Sequence, residues 1–144
     1  VERGHDLGLI EHGVIKHVSD AGIDCKGEDC CINQVDIEDA RQSLKLWDAS
    51  YRHGRIISRV PRFAHILIKP GVDDDMPTPP DPTKPIVISQ FEAPDAPDKP
   101  IVRFESGPRH VVIKKLIAPE GQKLFTVENA AQGSTLWING EQVL

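Results

Sequence analysis

Three cysteines, Cys25, Cys30 and Cys31, fall within the eight residues DCKGEDCC, and three histidines, His5, His12 and His17, precede them. Thiolates and imidazoles are the ligands of a tetrahedral zinc site, so this is the first place to look for chemistry. A zinc ribbon, however, needs two short-spaced cysteine pairs, and here one adjacent pair and one singleton stand without a second cluster. A metal would have to recruit His12 or His17 as its fourth ligand. Closure of a small loop by a disulfide from Cys25 to Cys30 or Cys31 fits the spacing as well as three reduced thiols do. The odd count leaves one thiol free or pairs it between chains. The arm histidines read most simply as solvated polar residues, and no metal or other cofactor is expected.

Other chemistries fare no better. The chain has no glycine-rich phosphate loop, no G-x-S-x-G elbow, no H-E-x-x-H and no dinucleotide fingerprint. Ser58, Ser89, Ser106 and Ser134 have no base close by in sequence, although triads are assembled by folding rather than by spacing. His53 suits a helix C-terminus; His65 and His110 fall inside strand-like runs. Asp73-Asp74-Asp75 lacks the alternating ligands and distal glutamate of a calcium loop and reads as a solvated turn. One tyrosine and two tryptophans offer few platforms for stacking sugars or bases. Non-enzymatic function is therefore the expectation, with a metal-dependent enzyme built on the Cys/His arm as the most distant alternative.

Charge is distributed in blocks. Val1 to Ser50 carries 11 acids against 5 bases, and Gly71 to Pro108 carries 8 against 3. Between them, Tyr51 to Pro70 has no acid and five bases: Arg52, Arg55, Arg59, Arg62 and Lys69. Such blocks neutralise one another within a fold or between copies of it. A formal net charge of −5 and the lack of aromatics beside the arginines argue against nucleic acid. No apolar run is long enough to cross a bilayer, so a soluble form with no membrane partner is expected. The compartment stays open, with a slight lean toward a virion or the extracellular space.

These residues must be positioned by a scaffold. Residues 1–35 read as an irregular arm with a short extended run at Gly13 to Val18. Ile37, Ala40, Leu44, Trp47 and Tyr51 recur at spacings of three and four, which predicts an amphipathic helix over 36–53, with Asp36 capping its start and Gly54 its stop. After Gly54 the period shortens. Short β-branched runs at 56–60, 63–68, 86–91, 101–104, 110–117, 124–127 and 135–138 read as strands, with Asn139-Gly140 as a type I′ hairpin turn. Lys84-Pro85-Ile86-Val87 recurs as Lys99-Pro100-Ile101-Val102 behind Asp/Pro-rich spacers, each proline opening a strand. Residues 71–100 are thus an extended Pro/Asp-rich segment inside a single β-rich domain, 36–144.

The expected fold is mainly β: an antiparallel β-sandwich or small barrel with one amphipathic helix and extended N-terminal and Pro-rich arms. The expected function is a structural or assembly protein, such as a capsid-decorating or other virion component or a filament subunit. Its partners would be protein subunits, as a homo-oligomer or larger assembly, with extended arms reaching neighbouring copies. Arg52, Arg55, Arg59, Arg62, Pro85 and Pro100 are the expected assembly contacts. A small ligand- or peptide-binding module contacting its ligand through Trp137 is the alternative.

Overall fold

The structure, a computed structural model, describes residues 8–26, 31–47, 54–69 and 83–144. The chain forms a parallel β-solenoid of about five turns. β1 (Leu9–Cys25) is the first turn and β2 (Cys31–Leu46) the second. Each later turn divides into two strands: β3 (Arg55–Arg59) with β4 (Ala64–Ile68), β5 (Ile86–Glu92) with β6 (Val102–Phe104), and β7 (His110–Ile117) with β8 (Phe125–Val127). A short 3-10 turn at Asn129–Ala131 leads to β9 (Thr135–Ile138) and β10 (Glu141–Gln142), an antiparallel hairpin turned by Asn139-Gly140.

Parallel pairing stacks each turn on the one before. β1 pairs with β2; from β2 one run of strands continues through β3, β5, β7 and β9, and another through β4, β6 and β8. Partners between the first two turns lie one short turn apart, as with Leu9 and Cys31, whereas Ile56 pairs with Phe91 across the inserted residues 70–82. The core is a set of columns. Gly13, Val35, Ile56, Phe91 and Leu116 occupy one inward position, and Ile23, Leu44, Ile66, Val102 and Phe125 another. Residues in the middle of each column are buried. Each such aliphatic or aromatic side chain contributes about 1.5–3 kcal/mol by leaving water.

Corners are made by left-handed residues. His17 (φ 55°), Asp39 (φ 53°) and Val60 (φ 46°) stand at the same bend of successive turns, and Ala96 (φ 56°) and Gly121 (φ 77°) bend the next two. His12 and Gln34 make an earlier bend in the first two turns. These bends explain why the helix expected at 36–53 is absent: residues 36–46 lie in β2, and 48–53 are outside the described residues. A bend adds one residue to the two-residue alternation of a strand. Val35 to Ile37 is a step of two, but the bend at Asp39 makes Ile37 to Ala40 a step of three, which imitates a helical period. Asp36, read as a helix cap, instead accepts the Arg59 guanidinium at 3.1 Å.

Two further expectations are corrected. Leu9–Cys25 of the expected irregular arm is a continuous strand, not an extension. Nor is there an antiparallel sandwich or small barrel, because every pairing except the terminal hairpin is parallel. The strand-like runs were legible, but strand content carries no information on direction. The two Lys-Pro-Ile-Val copies open β5 and lead into β6, so they are consecutive sides of one turn rather than stacked equivalents. Of the Pro/Asp-rich segment, residues 71–82, including Asp73 to Asp75, lie outside the described residues.

Candidate functional site

The cysteine cluster does not form a ligand set. Cys25 is buried and disulfide-bonded, Cys31 is a free, half-buried thiol, and Cys30 and His5 are outside the described residues. His12 and His17 sit in bends on the surface, where His17 Nδ1 donates to Asp39 Oδ2 at 3.0 Å. That bond is the first reason the Asp39 carboxyl lies below the usual carboxylate range. Among the described residues no three His, Cys, Asp or Glu side chains are grouped to hold a metal ion.

The basic block is absorbed by the stacking. Arg55 Nε donates to Glu92 at 2.6 Å, Arg59 Nε to Asp36 at 3.1 Å, and Arg62 Nη1 to Asp39 at 2.8 Å, each crossing to an adjacent turn of the same chain. Arg55 holds the Glu92 carboxyl below its ordinary value and is itself raised by it. Arg52 is outside the described residues. Of the two prolines expected at contacts, Pro85 is exposed at the entrance to β5, whereas Pro100 is buried and its carbonyl accepts the His65 amide at 3.0 Å.

Trp137 projects outward from β9 and is 42% exposed. It pairs in register with Val112 of β7 and Gln142 of β10, and Val87 of β5 lies below Val112. On one side His110 and Thr135 share a hydrogen bond of 2.7 Å; on the other stands the exposed Lys114. This is a flat, mixed surface with one aromatic ring. Trp47, in contrast, is buried: its Nε1 donates to Asp24 at 2.7 Å and the ammonium groups of Lys26, Lys45 and Lys69 lie 5.1–5.8 Å from its ring. Clefts open on the surface between described residues. One of about 410 Å³ lies outside the first bend between His12, Val14, Asp36 and Arg55; another of about 370 Å³ lies above Leu116 and Leu124 beside the terminal hairpin.

Sequence reasoning missed two features. Ser58, which has no base close by in sequence, meets His65 in the interior: Ser58 Oγ is 2.8 Å from His65 Nδ1 and 2.5 Å from Ser43 Oγ. All three residues are 0% exposed, so the hydroxyl–imidazole pair faces side chains of the core and not a cleft. A seven-residue separation across a corner brings it together, which strand alternation alone does not reveal. The second missed feature is the open end of the solenoid. Among the described residues β1 pairs with β2 only, and no described strand pairs with its other edge. The inward side chains Ile10, Ile15 and Val18 are only partly covered, and Val14 is 68% exposed. No known protein family, curated protein or solved structure matches the chain.

Proposed function

We propose that the chain is a non-enzymatic structural module that associates with protein subunits, copies of itself included, as in a virion component or a filament subunit. The observation that carries this reading is the uncovered first turn. Among the described residues nothing pairs with the outer edge of this 17-residue strand, and such an edge beside half-buried isoleucines is a template for another strand. Isolated edges of this length are normally blunted, covered or used. At the opposite end the first run of strands is closed: β10 pairs with the edge of β9, and the Val143 amide returns to the Leu136 carbonyl at 2.9 Å. Docking is thereby directed to the N-terminal end.

Because Arg55, Arg59 and Arg62 bond within the chain, association by this route rests on main-chain pairing and apolar contact and should survive salt. Sedimentation velocity and native mass spectrometry at two salt concentrations test it. Expected is an oligomer at both, dissociated by Ile15→Lys, which puts an inward charge on the open turn. A monomer at high concentration in both salts refutes the reading. The second reading, a ligand surface around Trp137, is favoured by the exposure of that ring. Ligand-dependent quenching of fluorescence that is absent from Trp137→Phe would support it.

A further inference from the structure

Gly22, Ser43 and His65 occupy one register position in the first three turns, in a stack whose other buried positions are mostly apolar. The glycine is required below the serine: a Cβ at Gly22 would meet Ile37 Cγ2 at 2.4 Å and the Ser43 carbonyl oxygen at 2.9 Å. Ile101 of the fourth turn stands above, with the Ile66 amide bonded to its carbonyl at 2.9 Å. His65 thus lies in the middle of the stack, without exposure, its ring edge-on to Phe91 at 6.2 Å between centroids.

Its hydrogen bonding is incomplete. Nδ1 has the Ser58 hydroxyl, and that hydroxyl has Ser43, whereas Nε2 forms no hydrogen bond of good geometry. The strands below supply only the uncharged Ser43 and Ser58, and β5 supplies the uncharged Phe91. The charged groups that act on the ring, Asp95 and Asp98, both belong to the corner between β5 and β6, as does the Ala96 backbone that favours the proton. Asp95 is already engaged: its Oδ1 accepts the Val60 amide at 2.6 Å and ties the fourth-turn corner to the third. Asp98 is bonded to Lys99 at 2.6 Å.

We propose that His65 is an acid-operated latch: when its imidazole takes a proton, the 93–100 corner leaves its seat on the third turn and the solenoid loosens at its middle. An imidazolium in this interior has two donors, one of them facing only the poorly aligned Ala96 backbone, and a charge that the core does not solvate. The carboxylate that acts most strongly on the ring is Asp95, and swinging it to Nε2 releases the Val60 amide. Neutral His65 holds the corner; charged His65 competes for the same carboxylate that pins it. The inference stands apart from the assembly reading, since it concerns the third and fourth turns and not the open end.

The sign follows from burial. Loss of water first, against the weaker pull of Ala96, Asp95 and Asp98, lowers the His65 pKa from 6.5 to about 4. The folded state therefore favours the neutral form: stability is full above pH 6.5, falls as pH drops from 6.5 toward 4, and levels below that, when both folded and unfolded chains carry the charge. That gap corresponds to about 300-fold in the folding equilibrium constant.

The test is an NMR titration of the histidine ring signals of the intact chain, joined to hydrogen exchange and to urea unfolding of wild type and His65→Asn across pH 4 to 7. Asparagine can keep a bond to Ser58 and does not titrate. Expected is a His65 signal that titrates well below the others, amides of β3, β4 and 93–100 that lose protection first on acidification, and an equilibrium constant that falls about 100-fold more in wild type than in the variant between pH 7 and pH 4. A His65 signal titrating near 6.5, parallel pH profiles for the two proteins, or loss of protection that begins at the ends of the solenoid would each overturn the latch. If His65→Asn does not fold, the wild-type titration and exchange pattern decide by themselves.

Discussion

The first and second turns of the solenoid are close counterparts in register and opposites in burial. Ile10, Ile15 and Val18 of β1 stand in the same inward positions as Ile32, Ile37 and Ala40 of β2. The β2 residues are 0% exposed, and those of β1 are only partly covered. Residue type and direction are shared; what differs is that, among the described residues, β2 has a neighbour on both sides and β1 on one. In a stacked fold, burial is thus a property of position along the stack as much as of sequence. The same rule holds at the other end, where Leu136 is fully buried because the chain turns back over it through Val143 and Leu144.

The contrast is sharpest at two glycines. A Cβ at Gly54, whose φ is +145°, would lie 1.8 Å from the Ile32 carbonyl oxygen of the turn below. Gly54→Ala should cost more than about 4 kcal/mol, enough to leave the protein largely unfolded in a urea melt. On the open turn, Gly13 has room, with Val35 Cγ1 4.0 Å from the position of a Cβ. Gly13→Ala should be neutral or stabilise by about 0.5 kcal/mol through a less disordered unfolded chain. Equal losses at both sites would break the distinction between covered and uncovered turns.

A middle-sized effect separates the stacked isoleucines. Ile37→Ala should cost about 3–4 kcal/mol, since the cavity it leaves is walled by a turn on each side. Ile15→Ala, one turn earlier, should cost about 1 kcal/mol, because its side chain still meets water and leaves no closed cavity. Chemical denaturation with unchanged slope gives both values, and a ratio near one would mean that association in solution has already covered the first turn.

The smallest effect concerns the charge ladder on the outside. Arg55 is more than half exposed, so Arg55→Met should shift stability only slightly at neutral pH, the smallest of these effects, in spite of the 2.6 Å contact with Glu92. Glu92 is held below its ordinary 4.5 by that contact, so its contribution is present above pH 4.5 and is lost as the pH falls through its lowered value. The difference between wild type and Arg55→Met should therefore shrink as the pH falls below 4.5. A difference that persisted in acid would point to packing by the arginine stem and not to charge.

Much of the local structure was legible. The strand runs after Gly54 and the Asn139-Gly140 hairpin rest on short-range chemistry: β-branched residues on a pleat and two residues that tolerate positive φ. The second turn was not legible, because left-handed bends at Gln34 and Asp39 shift the inward phase of β2 and give it the spacing of a helix. The solenoid itself was hidden because its turns share inward columns, such as Val35, Ile56 and Phe91, without sharing residues. Of the candidate site, Trp137 was legible as an isolated aromatic beside a turn. Ser58 with His65 was not, since their contact depends on the corner that folds β4 back on β3.

By itself the sequence determined which stretches after residue 54 form strands, though not their end residues, where the last hairpin turns, and that oppositely charged blocks would meet. Those are consequences of backbone preference and of charge, which act over a few residues or without regard to path. Tertiary structure alone decided that the strands run parallel, that the basic block meets its acids within one chain, that β1 is left open and that His65 is sealed inside. Each of these depends on which turn lies above and below a residue. That neighbour is set by the register of whole turns against one another, and no single stretch of the chain contains it.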